Sequence, residues 1–234
     1  MHLKLIRHGQ ASFGTDHYDR LTPLGIEQSR CLGAHLARTG HTSGTVYSGR
    51  MQRQRNTAEL AAEELGSPEC PGVVELANFD EYDISALFNA YLETVAANNP
   101  AVPVEREPLN HDPRLLRLAF EGVMDCWLQD TAPGVPGIEP WRAFRDRVHG
   151  GLEAMLRQHR DDGTAIVVTS SGVIATAVGI ILDLRPRASI NLGWQICNAS
   201  VTELRYAFGH WSLTGFNSID HLLLKDRHRL VTHR

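Results

Sequence analysis

The five residues Ala165-Ile166-Val167-Val168-Thr169 form an apolar run with no polar face, and a helical stretch opens at Ser171 almost as soon as it ends. A strand that is apolar on both sides must be buried on both, which calls for helices above and below it. The rest of the chain repeats the alternation. Residues 2–6 form a short apolar strand, and Thr22-Pro23 then supplies an N-cap and a proline at the first helical position. Leu24, Cys31, Leu32 and Leu36 share one face of that helix, which ends before Gly40. Residues 45–48 and the helix 51–65, stopped by Gly66, make a second strand-then-helix unit.

A brief strand over 73–76 and a helix over 84–97 follow. Residues 98–140 hold seven of the eleven prolines and one helix, 113–128, so they read as an insertion or cap. The stretch 141–159 is an amphipathic helix, with Phe144, Val148, Leu152, Met155 and Leu156 at helical spacing. The helix after the long strand is expected over 171–184, and 200–206 with 211–214 form a closing hairpin around Phe208-Gly209. The tail, 225–234, is charged and expected to be mobile.

Alternating strands and helices imply an α/β fold: a three-layer sandwich with a mostly parallel sheet, helices on both faces, and the insertion over the C-terminal strand edge. The 234 residues, 42% hydrophobic, suit a single domain spanning 1–234. A net charge of -4 with no basic tract argues against nucleic acid as a partner. Cys31, Cys70, Cys126 and Cys197 lie far apart, which suggests reduced, buried thiols rather than a zinc site or a redox dithiol. Met1-His2 leads straight into the first strand, and no apolar run approaches the roughly 18 residues of a membrane span. A cytoplasmic protein with no membrane partner is therefore expected, and a homodimer is left open.

In such sheets ligands bind beyond the carboxyl ends of the strands. Polar residues gather there: Arg7 and His8 after the first strand, residues 48–53 after the second, Glu81 after the third, and Thr169, Ser170 and Ser171 after the long one. An imidazole beside a guanidinium suits attack of a neutral histidine on a phosphoryl group whose charge the arginine holds.

The run Leu5-Ile6-Arg7-His8-Gly9-Gln10 resembles the opening motif of the histidine phosphatase superfamily, which includes the cofactor-dependent phosphoglycerate mutases. Leu21-Thr22-Pro23-Leu24-Gly25 with Gln28, the segment 48–58, and Phe216-Asn217 with His221-Leu222 are similar to further family segments. The resemblance implies His8 as nucleophile, Arg7 and Arg53 as the phosphoryl clamp, no metal and no cofactor, and a small phosphorylated substrate. It places the general acid at Glu81, within Phe79-Asp80-Glu81-Tyr82-Asp83, where flanking aromatics would raise its pKa by desolvation. No glycine follows soon after, so Asp80, Asp83 and Glu75 compete for the role.

The chain departs from the family after the long strand, where Ser170 stands in place of a second histidine. Either Ser170, Ser171 and the helix N-terminus hold phosphate there, or another histidine, His111 or His221, moves into the gap. His221 reads more readily as structural, and His35 and His159 as surface residues of helices. A smaller departure is Gly14, where the family commonly has an asparagine. The reading is a metal-independent phosphatase working through a phosphohistidine on His8. The alternative is a catalytically weakened phosphate-binding or sensing protein of the same fold. A phosphomutase ranks below both, since it needs further basic residues, for which Arg106, Arg114 and Arg117 are the candidates.

Overall fold

A computed structural model of the chain describes residues 1–12, 19–40, 45–66, 72–129, 137–159, 163–224 and 228–233. The expectations at Gly14 and Cys70 lie outside the described residues. The elements run β1 (His2–Arg7), α1 (Pro23–Arg38), β2 (Val46–Ser48), α2 (Gln52–Leu65), β3 (Val73–Glu75), α3 (Ile84–Asn98), α4 (Glu107–His111), α5 (Pro113–Leu128), α6 (Trp141–Gln158), β4 (Thr164–Thr169), α7 (Ser171–Ile181), α8 (Pro186–Gly193), β5 (Val201–Ala207), β6 (His210–Ser218) and α9 (Asp220–Leu223).

The chain divides into two compact units, Met1–Glu81 with Arg147–Arg234, and Tyr82–Asp146. The first holds a six-stranded sheet in the order β3-β2-β4-β1-β5-β6. β3, β2, β4 and β1 are parallel neighbours, while β5 and β6 add antiparallel partners at one side. This is the expected mixed, mostly parallel sheet of a three-layer α/β sandwich. On one face Ile6, Val46, Ile166, Val168 and Val201 form a core with Leu32 and Leu36 of α1 and Ala58 and Ala61 of α2. Side chains alternate along a strand, so Tyr47 lies on the other face, where its hydroxyl meets His159 Nε2 at 2.9 Å just past α6. α7 packs against β1 and β6.

Local chemistry explains most boundaries. Thr22 caps α1 by accepting from the Gly25 N–H at 3.0 Å, with Pro23 at the first helical position. Gly66 ends α2 in the left-handed region at φ +61°. Phe208 and Gly209 both have positive φ, +53° and +84°, as a two-residue hairpin turn between right-twisted strands requires.

Three expectations are corrected. The helix after β4 ends earlier than expected, at Ile181; Asp183 turns at φ +50°, and a further helix that the sequence did not suggest, α8, opens at Pro186. The fold-back is close, since a Cβ on Gly179 would lie 1.9 Å from Ser189 Oγ. The tail is ordered over 228–233, where Leu230 is fully buried. His35 and His159 are half-buried rather than on the surface: His35 stacks on His221 with ring centroids 5.1 Å apart, and His159 holds Tyr47. Cys197 is buried, whereas Cys31 and Cys126 are half-buried.

The second unit contains α3, α4, α5 and the opening residues of α6, so the proline-rich stretch 98–140 lies within it. Its centre is aromatic: Trp127 contacts Tyr82, Trp141 and Phe144 with ring centroids 4.9 to 5.6 Å apart, and its Nε1 donates to the Glu139 carbonyl at 2.8 Å. Arg106 donates to the Ser85 carbonyl and Asn89 Oδ1 and lies over the Phe88 ring, while Arg117 pairs with Glu121. Among the described residues no helix is long and apolar enough to cross a membrane.

Candidate active site

Strand β1 delivers His8 to the sheet edge. Its ladder with β4 is extended by the His8 N–H donating to the Thr169 carbonyl at 2.8 Å, while the Arg7 N–H reaches the Ser200 carbonyl at 3.2 Å. The turn after His8 crosses the start of α1 at close range: a Cβ on Gly9 would lie 2.4 Å from the Gly25 oxygen. Only glycine fits there. Its N–H donates to Thr57 Oγ1 at 3.0 Å, and Thr57 in turn donates to the Arg53 carbonyl at 2.8 Å, so the loop is stitched to α2.

The hydrogen bonds of His8 fix its tautomer. Nδ1 lies 2.7 Å from the Gly9 carbonyl oxygen, which can only accept, so Nδ1 carries the proton. Nε2 therefore presents a lone pair, and Arg53 Nε donates to it at 3.1 Å. His8 is only 6% exposed. Burial, then the charges of Arg53 and Arg7, push the His8 pKa well below 6.5, against the weaker opposing effect of the Gly9 bond. The imidazole is neutral at neutral pH, with its free nitrogen facing a buried guanidinium.

Arg53 is held from behind by Asp19, whose Oδ1 accepts from Arg53 Nη1 at 2.8 Å and from the Arg53 N–H at 3.3 Å. The other oxygen of Asp19 accepts from the Gln52 N–H at 2.8 Å, which caps α2 in place of Met51. Arg7 has Nη1 on the carbonyls of Ile196 and His233. On the far side of His8, Asn198 Nδ2 donates to the His8 carbonyl at 3.1 Å.

At the end of β4, Ser170 and its neighbours face a second set of contacts. Gln54 Nε2 donates to Ser170 Oγ at 2.8 Å and to the Phe79 carbonyl at 3.3 Å, and Thr169 Oγ1 donates to that same carbonyl at 2.6 Å. Glu81 Oε2 accepts from the Gly172 N–H in the first turn of α7 at 2.8 Å. The Glu81 carboxyl group thus sits against the first turn of α7. The competing carboxylates are engaged elsewhere: Asp80 with Arg50, Glu75 with Arg55, and Asp83 as the cap of α3.

A family model described as the histidine phosphatase superfamily (branch 1) matches residues 3–117 and 110–219. The chain belongs to this superfamily. A 2,3-bisphosphoglycerate-dependent phosphoglycerate mutase of Methylobacterium radiotolerans is 24% identical over 211 residues, covering 86% of this chain and 91% of that protein. The phosphoglycerate mutase of Bacillus anthracis has a similar fold, with TM-score 0.67, 20% identity and 94% of each chain covered. A mycobacterial glucosyl-3-phosphoglycerate phosphatase, solved with inorganic phosphate, matches with TM-score 0.63 at 19% identity over 94% of this chain and 98% of its own.

Within this histidine phosphatase fold, Arg7, His8, Arg53, Glu81, Ser170 and Ser171 all belong to the same unit and the same sheet edge. His221 does not fill the gap at Ser170: its Nε2 donates to the Ala199 carbonyl at 3.0 Å and its ring stacks on His35. His111 is exposed on α4 in the second unit, facing Glu107 at 3.8 Å. Asp19, Gln54 and Thr57 were not singled out as functional by sequence. Gln54 and Thr57 sit one and four residues beyond Arg53 on α2, so the helical register that picks out Arg53 also points to Thr57.

Proposed function

We propose that the chain is a metal-independent phosphatase that hydrolyses a small phosphorylated metabolite through a phosphohistidine on His8. The observation that carries this reading is the His8 tautomer: Nδ1–H on the Gly9 carbonyl and an unprotonated Nε2 that accepts from Arg53. Nε2 attacks phosphorus, forming a P–N bond as the bond to the leaving oxygen breaks. Glu81, as the acid, gives that oxygen its proton. The Glu81 carboxylate then takes a proton from water, which attacks phosphorus, breaks the P–N bond and restores neutral His8. Arg7 and Arg53 hold the equatorial oxygens, with guanidinium forks suited to two oxygens at once, and Ser170 with Ser171 completes the cradle. Arg53 leaves His8 Nε2 for a phosphoryl oxygen when substrate enters.

Ser170 in the place of an imidazole favours a second reading, a phosphate-binding or sensing protein of weakened catalysis. A purified sample given an aryl phosphate and a panel of phosphate monoesters without added metal separates the two, beside a His8→Ala variant. Phosphate release that disappears in His8→Ala supports the phosphatase. Release that His8→Ala leaves unchanged, or none from the wild type, overturns it. Glu81→Gln is expected to slow turnover by about 10²- to 10⁴-fold while an acid-labile phosphohistidine accumulates. Normal turnover in that variant would move the acid to another group.

A further inference from the structure

Ser170 is 2% exposed and Gln54 is fully buried, and their bond is the only hydrogen bond of the Ser170 hydroxyl among the described residues. The direction of that bond is determined. Gln54 Nε2 also donates to the Phe79 carbonyl, and Gln54 Oε1 accepts from the Met51 N–H at 3.3 Å, so both ends of the amide are assigned. Ser170 Oγ must therefore accept from Gln54, and its own proton is directed elsewhere.

The hydroxyl does not cap α7 either. Ser170 is the N-cap residue of that helix and makes no side-chain cap bond, while Glu81 takes the Gly172 N–H instead. A buried hydroxyl at the sheet edge thus holds one uncommitted donor, one residue from Thr169, whose carbonyl binds the His8 backbone. Leaving a buried donor unused costs free energy, and an anion in the site would satisfy it.

We propose that Gln54 is a positioning residue: by donating to Ser170 Oγ it turns the Ser170 proton toward the oxygens of a phosphoryl group held by Arg7 and Arg53. An amide and a hydroxyl then supply the donor that a second imidazole would otherwise give. The proposal rests on the phosphate-site reading above. It is a prediction about a coupled pair, because Gln54 acts only through Ser170.

The test is a double-mutant cycle on the full chain with Gln54→Met, Ser170→Ala and both together, and Ser170→Thr as the variant that keeps the hydroxyl. Two quantities are read: the Kd of inorganic phosphate by calorimetry, and kcat and KM for an aryl phosphate, with thermal melting as the folding control. Ser170→Ala is expected to lower kcat about 10²-fold and Gln54→Met about tenfold. The double variant should be no worse than Ser170→Ala, and Ser170→Thr should keep most of the activity. Phosphate Kd should weaken in the same non-additive order.

Effects of Gln54→Met and Ser170→Ala that simply multiply would overturn the coupling, as would a Ser170→Ala variant indistinguishable from wild type. If the wild type binds phosphate without His8-dependent turnover, the phosphatase reading fails and the Kd cycle alone decides the pair. If it does neither, both fall.

Discussion

Asp19 accepts three hydrogen bonds, all from Gln52 and Arg53. It therefore joins two tasks, capping α2 and aiming Arg53 Nε at His8. Asp19→Ala is expected to cost about 1 kcal/mol of stability through the lost cap, read in urea unfolding. It should also lower kcat/KM for an aryl phosphate by more than that stability loss explains, because Arg53 loses the contact that sets its direction. Asp19→Asn, which can still accept from the helix, should recover the stability but only part of the activity. Equal activity in all three proteins would show that Arg53 needs no such support. Arg7, His8 and Gly9 are legible in the chain because they are consecutive, and Arg53 because helical register selects it. Asp19 and Gln54 are not, since their roles exist only once a loop or a strand end is folded against α2. Glu81 stood among competitors in the sequence; the pairing of Asp80, Glu75 and Asp83 with Arg50, Arg55 and the start of α3 supports the proposal that Glu81 is the acid.

At the scale of elements, the short helix α9 is fixed to α1 by a pair of histidines. His221 is 2% exposed, its Nε2 donates to the Ala199 carbonyl, and its Nδ1 has no partner among the described residues. Burial first, and then the neighbouring His35, lower its pKa to about 4. The groups around it are mixed in sign: Arg38 adds to the lowering, while Asp220 and the Ala199 bond oppose it. The unfolded chain, with histidine near 6.5, binds more protons than the folded one between about pH 6.5 and pH 4. Stability therefore falls as pH drops through that window and levels off below the folded pKa, by roughly 3 kcal/mol for this group. His35 and His8, both lowered, act in the same direction. Urea midpoints measured from pH 7.5 to 4 should fall more steeply for wild type than for His221→Gln. Parallel curves would assign the acid sensitivity to other groups. Most strands and helices were legible from periodicity and caps. The early end of α7 and the start of α8 were hidden because residues 172–182 are apolar except for Thr176 and so carry no polar face that marks where a helix turns away.

For the whole molecule, the order of strands ties the ends of the chain together. β1 lies between β4 and β5, so His2 to Ile6 gain both neighbours only from positions 164–168 and 201–205. Such pairing is non-local, and the first strand cannot be completed until most of the chain has formed. The tail then closes on this centre. Leu230 is fully buried, Gln28 Nε2 donates to its carbonyl at 2.7 Å and to Thr232 Oγ1 at 2.9 Å, and Asn198 N–H donates to the Thr232 carbonyl at 2.8 Å. Gln28 Oε1 meanwhile accepts from the Gln10 N–H at 2.7 Å, two residues past His8. The charge-rich composition of residues 225–234 concealed this, because one buried leucine and a few backbone carbonyls hold the segment, and neither stands out in a sequence. Leu230→Ala is expected to lower unfolding free energy by about 2–5 kcal/mol, the range for emptying a buried leucine site. Deleting residues 228–234 should cost more, since it also strands the Gln28 amide and the Arg7 bond to the His233 carbonyl. If the tail is only an appendage, both proteins will unfold at the wild-type urea concentration. If it is part of the core, the midpoint will drop in that order, and KM for phosphate esters will rise with the deletion because Arg7 has lost a fixed acceptor.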